Sequence, residues 1–289
     1  MTTLIPGQYK IGNTVFGEGT MIHVSSCEPG GHGTSPGDYP VGQSDELRFS
    51  RDYMQPGSYT FEMAALNNKP MLNMVGPGEE IPDVDGASTY LETIANEWRA
   101  DEVRLIYGSL KPLLYHRDGM TRMIYGRPRK FVHANRSRKA EWVNIVADFQ
   151  CADTFTYEEA QGLVTALPTS AGTTSVDVVR AGGSAPAWFT AFITGPINDP
   201  KIKVGNLFTV ELDYNLAAGK IIQISSYPWE RRVIDSDGFN LSPLMVGNSP
   251  YLDQMKLPAN ATTGIGLSGS STTGATKLEL LWREAYHSF

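Results

Sequence analysis

Period-two alternation of apolar and polar residues is the feature that most constrains the fold of this chain. Over residues 207–216 the side chains of one face are Phe208, Val210, Leu212, Tyr214 and Leu216, and the other face is mostly polar. Alternate residues of a strand point to opposite faces of the sheet, so this segment predicts a strand with one buried face. The alternation recurs at Val143, Ile145, Ala147, Phe149 and Cys151, and again at Leu278, Leu280 and Trp282. The sequence therefore predicts a mainly β fold.

Turn residues separate several of these apolar runs. Asp118-Gly119 lies between residues 111–116 and 120–125 and predicts a hairpin, and Asp237-Gly238 marks a further turn. Ala217-Ala218-Gly219 predicts a second hairpin that leads into residues 220–226. Charged residues are 19% of the chain, below the usual ~25%, which suits surfaces covered by partner subunits.

One segment has helical spacing. Leu91, Ile94, Ala95 and Trp98 recur at intervals of three and four and predict a single amphipathic helix over residues 88–99. Thr89-x-x-Glu92 is interpreted as a capping box at its start.

The 289 residues suit one large domain or two ordinary ones. Residues 163–174 are rich in small side chains and are interpreted as a linker, which predicts domains at 1–160 and 161–289. Residues 28–41 are rich in Gly and Pro and are interpreted as a long exposed loop.

Charge and cysteine content exclude several classes of protein. The net charge of −7 argues against general nucleic-acid binding. Cys27 and Cys151 are too few for a disulfide framework or a zinc site and are expected to be buried.

The first residues lack a signal-peptide pattern, and no stretch reaches the ~18 apolar residues of a membrane helix. We expect synthesis and folding in a cytoplasm.

No motif predicts catalysis, a cofactor or a metal. Gly264-Ile265-Gly266-Leu267-Ser268-Gly269 has dinucleotide-fingerprint spacing but lacks the helix and the acidic residue that the motif requires, so these are interpreted as turn glycines. Asp83-Val84-Asp85-Gly86 is interpreted as helix capping because the later glutamate of a calcium loop is misplaced. The five histidines are scattered without metal-ligand spacing. The chain is predicted not to be an enzyme.

A basic segment and several aromatic residues are candidates for binding. Nine basic residues and one acid lie between positions 111 and 139. Three interpretations of these basic residues are open. They could form a solvated face of a hairpin, pair with acidic residues of a neighbouring subunit, or bind the phosphates of a nucleic acid. The candidate subunit-interface residues are Arg127, Arg129, Lys130, Arg136 and Arg138. The candidate sugar-stacking residues are Trp188, Tyr227, Trp229 and Tyr251, for which sandwich-core packing is the alternative.

Three stretches together resemble a known family. The first is Phe149-Gln150-Cys151-Ala152-Asp153-Thr154-Phe155-Thr156-Tyr157. The second is Ala185-Pro186-Ala187-Trp188-Phe189 followed by Ile193-Thr194-Gly195-Pro196-Ile197-Asn198-Asp199-Pro200-Lys201-Ile202, and the third is Leu280-Leu281-Trp282-Arg283-Glu284-Ala285-Tyr286. In this order and spacing the chain resembles the distal tail proteins of long, flexible-tailed (siphovirus-type) bacteriophages. Where relatives often have a Leu-x-Pro-Gly-x-Asn turn, this chain has Leu257-Pro258-Ala259-Asn260, an altered turn that we expect to be retained.

The resemblance implies a split-barrel-like N-terminal belt domain with one helix and a galectin-like or carbohydrate-module-like C-terminal β-sandwich. It implies a hexameric ring at the distal end of the tail tube, in the virion tail tip. The implied partners are further copies of the chain, the tail tube protein, the tail-tip hub protein and the tape-measure protein in the channel. No membrane and no specific nucleic-acid partner is implied. The alternative is a virion module that binds host cell-wall polysaccharide through its sandwich.

Overall fold

The chain forms two compact units. The computed structural model describes residues 3–29, 33–36, 38–40, 47–48, 52–66, 86–117, 119–134 and 142–287. The first unit comprises residues 1–156 with 288–289, and the second comprises residues 157–287. Strands predominate in the described residues of both units, which confirms the mainly β prediction. The ring-forming role and the galectin-like shape assigned to domains 1–160 and 161–289 stay predictions.

Most strands of the first unit lie in one antiparallel sheet. Its elements are β1 (Gln8–Ile11), β2 (Thr14–Gly17), β3 (Ile22–Pro29), β4 (Gly33–Ser35), β5 (Tyr39–Pro40), β6 (Leu47–Arg48), β7 (Tyr53–Gln55), β8 (Ser58–Leu66), α1 (Gly86–Arg99), α2 (Asp101–Arg104), β9 (Lys111–Arg117), β10 (Met120–His133) and β11 (Trp142–Cys151). The sheet runs in the order β2-β1-β9-β10-β11-β8-β3. The predicted hairpin at Asp118-Gly119 is confirmed, since β9 and β10 pair antiparallel with Met120 opposite Arg117.

Helix α1 covers this sheet with the face that the sequence predicts. Leu91, Ile94 and Trp98 are buried and belong to one core cluster with the alternating residues of β11, among them Ile145 and Phe149. Burial of these apolar side chains is the main driving force that holds helix to sheet. The predicted capping box is wrong, because the chain is already helical at Gly86 and Thr89 lies inside the first turns.

The second unit contains two antiparallel sheets. Its elements are β12 (Phe155–Glu158), in which the chain passes from the first unit, β13 (Gly162–Ala166), β14 (Val176–Arg180), β15 (Phe189–Thr194), β16 (Ile197–Val204), β17 (Phe208–Leu212), β18 (Asn215–Leu216), β19 (Ile221–Ser225), β20 (Arg232–Asp235), β21 (Met245–Val246), β22 (Ala261–Ser270), β23 (Lys277–Trp282) and β24 (Ala285–His287). One sheet has the order β13-β23-β15-β19-β20 and the other β14-β22-β16-β17-β21, with β18 also on β16. Each sheet has a face of buried apolar residues, as in a β-sandwich.

A buried arginine organises one end of the second unit. The Arg180 guanidinium donates to Glu284 Oε2 at 2.9 and 3.1 Å and to the carbonyl oxygens of Leu257 (2.7 Å), Pro258 (2.9 Å) and Ala185 (2.9 Å). Its side chain is 1% exposed. The C-terminal sequence stretch that includes Glu284 therefore has an internal structural role.

Three predictions about connections are wrong. Residues 163–174 are not a linker throughout, because β13 pairs with β23 inside a sheet. The turn at Ala217-Ala218-Gly219 forms, but it connects β18 of one sheet to β19 of the other, so it does not close a hairpin. Within the described residues of 28–41, β4 pairs with β7 and β5 with β6, so this segment is not simply an irregular loop.

The glycines of residues 264–269 lie in strand β22, so their interpretation as turn glycines is also wrong. Gly266 meets a close neighbour, since a Cβ added there would lie 2.0 Å from the Thr173 carbonyl oxygen. Close approach of another backbone is a recognised reason for glycine within a strand. The turn at Ala259-Asn260 is retained as expected, with Asn260 at a φ of 49°. The interpretation of Asp83-Val84-Asp85 lies outside the described residues.

Candidate interaction surface

Three consecutive apolar residues protrude from the first unit. Leu105, Ile106 and Tyr107 follow α2 and are 90%, 57% and 104% exposed. Single exposed apolar side chains are ordinary, but a contiguous group marks a binding surface more often. We call residues 105–107 the apolar knob. The knob was not predicted from the sequence, in which its signal is a short apolar run that precedes Gly108 and lies between a helix and a strand.

A tight turn presents the knob. The Ser109 amide donates to the Ile106 carbonyl at 3.3 Å, and Gly108 has a φ of 74°. Glycine adopts this left-handed conformation without the steric cost that a Cβ imposes. The turn therefore projects the three apolar side chains into solvent.

Arg127 fixes this turn from strand β10. Its Nε donates to the Ser109 carbonyl at 2.7 Å, and its Nη2 donates to the Ile106 carbonyl at 2.8 Å. Hydrogen bonds from a charged donor are stronger than neutral ones. Arg127, a candidate for direct subunit contact, therefore acts within its own subunit by positioning the knob.

An ion-pair network attaches α2 to the rest of the unit. Lys111 Nζ donates to Glu97 Oε2 and Glu102 Oε1, both at 2.6 Å, and its side chain is 6% exposed. Burial alone would lower the pKa of Lys111, but the hydrogen bonds to the two carboxylates raise it above its ordinary value. The hydrogen bond from Lys111 lowers the pKa of Glu102. Both groups are therefore charged at neutral pH.

The other candidate interface cations are not brought together by the described structure. Arg129 and Lys130 are exposed on β10, beyond Arg127. Arg136 and Arg138 lie outside the described residues. A role for these four in subunit contact stays a prediction.

The candidate sugar-stacking aromatics have different environments. Trp188 is 5% exposed, with Lys256 Nζ 4.1 Å and Arg231 Cζ 5.6 Å from its ring centroid. Tyr227 is 8% exposed and packs 5.3 Å from the half-buried Trp229. Burial leaves Trp188 and Tyr227 no free ring face for a sugar, which favours their alternative interpretation as core residues.

Tyr251 differs from these residues because it is 79% exposed. It lines an open groove of about 660 Å³ together with the polar side chains of Glu211, Asn248, Ser249 and Gln254. An exposed aromatic ring beside hydrogen-bonding groups suits the apolar face and the hydroxyls of a sugar ring.

Among the described residues, no three His, Cys, Asp or Glu side chains are grouped so that they could hold a metal ion. Neither helix in the described part of the chain is long and apolar enough to cross a membrane. Cys27 and Cys151 are free thiols; the prediction that both are buried is confirmed for Cys151 and is wrong for Cys27, which is half-buried.

Comparisons with known proteins agree at the level of fold. No protein-family model matches the sequence, and no curated protein matches it significantly. The crystal structure of the SPP1 Dit protein, described as a paradigm of the hub adsorption apparatus in phages that infect Gram-positive bacteria, is similar with a TM-score of 0.60 and 11% identity, over 96% of this chain and 98% of that chain. A chain of the phage P2 baseplate in its activated conformation with calcium is similar with a TM-score of 0.53 and 9% identity, over 96% of this chain and 97% of that chain. The resemblance to the distal tail family is confirmed for the fold.

Proposed function

We propose that this protein is a structural component of a phage tail tip, where copies of it form a ring, most simply a hexamer, at the distal end of the tail tube. The observation that carries this proposal is the fold shared with the SPP1 Dit protein over 96% of the chain. The ring would join the tube to the tail-tip hub and surround the channel of the tape-measure protein.

The first unit has the kind of surface that such a ring needs. A closed ring repeats a heterologous contact, in which one patch of a subunit meets a different patch on the next. The apolar knob is one such patch, and hydrogen bonds from Arg127 hold it in place before binding. A preorganised contact loses less conformational entropy when it forms.

Mass measurement tests the ring. Light scattering of the purified full-length chain should give roughly six times its 31.6 kDa mass, or a mass that rises toward that value with concentration. Phe239→Ala, which changes an exposed aromatic of the second unit, should assemble like wild type. A chain that stays at 31.6 kDa at high concentration and also fails to join reconstituted tail tips would contradict the proposal.

The Tyr251 groove supports a second candidate function, binding of host cell-wall polysaccharide. A glycan array would measure it directly, and Tyr251→Ala should remove any signal because the stacking platform is lost. Phe239→Ala is the matched control, since Phe239 is 66% exposed but does not line the groove. Binding that is absent in wild type, or unchanged in Tyr251→Ala, would exclude this function for the groove.

A further inference from the structure

The first unit also contains a small pocket with aromatic walls. It has a volume of about 240 Å³ and is lined by Tyr9, Cys27, Tyr59, Tyr115, His116 and Arg117. Small-molecule pockets usually occupy ~300–1,000 Å³. The smaller size suits one or two protein side chains better than a ligand.

The walls of this pocket are firmly packed and mainly aromatic, and Arg117 is a charged residue among them. The ring of Tyr9 lies 5.4 Å from Phe16 and 5.2 Å from Phe61, both of which are fully buried in the core. Burial raises the pKa of Tyr9 well above its ordinary value and that of Cys27 to about 11. The phenol and the thiol are therefore neutral at physiological pH, and the pocket combines neutral aromatic walls with the guanidinium of Arg117.

The pocket and the apolar knob lie at opposite ends of strand β9. Gly126 pairs with Lys111, the first residue of β9, so Arg127 lies beside the start of that strand. Arg127 binds the Ile106 carbonyl oxygen, which places the knob at the same end. Tyr115 and Arg117 place the pocket at the last end. The seven residues of β9 extend over about 20 Å at a rise of ~3.4 Å per residue. With its turn fixed by Arg127, the knob cannot reach the pocket of its own subunit.

We propose that the knob of one subunit inserts into this pocket on a second copy of the chain. This inference rests on the proposed ring and identifies its repeated contact. The two patches are different and complementary: one is a protrusion that ends in the exposed ring of Tyr107, and the other is a cavity with aromatic walls and a guanidinium, Arg117, that can interact with an inserted aromatic ring. Because the described part of each subunit carries both a knob and such a pocket, a closed ring pairs every knob with a pocket and leaves neither free for further growth. Large apolar and aromatic side chains in desolvated pockets are also the usual anchors of protein interfaces.

Disulfide trapping tests the contact, because Cys27 already lines the pocket. A Tyr107→Cys variant should form a disulfide with Cys27 of the neighbouring subunit, since bridging requires the two Cβ atoms to approach within about 4.5 Å. Mild oxidation near pH 8.5 should give a ladder of covalent oligomers on a non-reducing gel. The double variant Tyr107→Cys/Cys27→Ser should abolish the ladder, and Phe239→Cys with Cys27 intact should not produce one.

A second variant measures the contact without cross-linking. Tyr107→Ser should raise the concentration needed for assembly at least about tenfold, as expected for an anchor side chain. Its thermal unfolding as a monomer should match wild type, because Tyr107 is fully exposed in the isolated subunit.

The outcomes separate this inference from the proposed ring. A wild-type ring with no Cys27-dependent ladder and with unchanged Tyr107→Ser assembly would overturn the knob contact while the ring stands. Cys27-dependent pairs in a protein that never reaches ring mass would support the contact and contradict the ring. Failure of both assembly and cross-linking, at high concentration and with tail-tip proteins present, would overturn both.

Discussion

Replacement of Trp98 by alanine should remove much of the stability of the first unit. The indole is 1% exposed, and its ring centroid lies 5.9 Å from Phe61, 6.0 Å from Phe16 and 6.2 Å from Phe131. Its Nε1 also donates to the Asp148 carbonyl oxygen at 3.1 Å. Truncation of a buried Trp to Ala typically costs about 3–5 kcal/mol, from lost apolar transfer energy and the remaining cavity. The hydrogen bond contributes about 1 kcal/mol of this total.

Denaturant unfolding followed by circular dichroism measures the loss, and hydrogen exchange by mass spectrometry assigns it to the first unit. Trp98→Phe should cost less than Trp98→Ala, since it keeps most of the packing and loses the hydrogen bond. Tyr107→Ala is the matched control at monomer concentrations, because this aromatic is fully exposed, and it should lie within about 0.5 kcal/mol of wild type. A Trp98→Ala protein within 1 kcal/mol of wild type (about a third of the smallest expected loss) would refute the packing argument.

Three further predictions follow from buried polar and close-packed sites. Arg180→Met should destabilise the second unit by about 3–5 kcal/mol, measured by denaturant unfolding, because the largely buried Glu284 carboxylate and three carbonyl oxygens lose their donor. A near-neutral result would contradict this. Gly266→Ala should lower the melting temperature, since its Cβ would meet backbone 2.0 Å away, whereas Gly274→Ala has open space and should not; equal melting temperatures would contradict the close approach. The pKa of Glu102 is lower in the folded chain than in the unfolded chain, so Glu102 stabilises α2 at pH values above its unfolded pKa, and this stabilisation is lost as the pH falls through its folded pKa. The pKa of Lys111 is raised by folding, so the stabilisation from Lys111 is present below its unfolded pKa and is lost as the pH rises through its folded pKa. The protection factors of residues 101–109, which are exchange rates corrected for the intrinsic pH dependence of amide exchange, should therefore fall below about pH 4, and unchanged protection factors would refute the network.

Local sequence pattern predicted the elements of this fold better than their connections. The apolar spacing of Leu91, Ile94 and Trp98 predicted α1 within two residues of its start, because three successive turns repeat the same face. The alternation in β11 was equally reliable, since every second residue from Val143 to Cys151 is buried. Both patterns record burial on one face, which the local sequence must encode.

Connections were predicted less well because partner choice depends on distant residues. Ala217-Ala218-Gly219 contains the residues of a tight turn whether the next strand joins the same sheet or the opposite one. Gly266 is needed because Thr173, far away in sequence, approaches its backbone. Neither circumstance leaves a local signal, and tertiary context decides both.

The candidate surface was predicted in part. The basic residue Arg127 was identified from charge, but its acceptors are backbone carbonyls at Ile106 and Ser109, and no sequence pattern marks them. The exposure of residues 105–107 was not predicted, since a Leu-Ile-Tyr run is equally compatible with a buried strand. Trp188 and Tyr227 were candidates for sugar stacking, and only the structure places them in the core.

Electron microscopy of the purified full-length protein is the most direct test of the central proposal, the ring. Class averages of negatively stained particles should show closed rings with a central channel and, most simply, six-fold symmetry. Under the same conditions Tyr107→Ser should give mainly single subunits, and Phe239→Ala should give rings. Compact single particles or open filaments in the wild-type sample, both when the protein is alone and when the neighbouring tail proteins are present, would contradict the account.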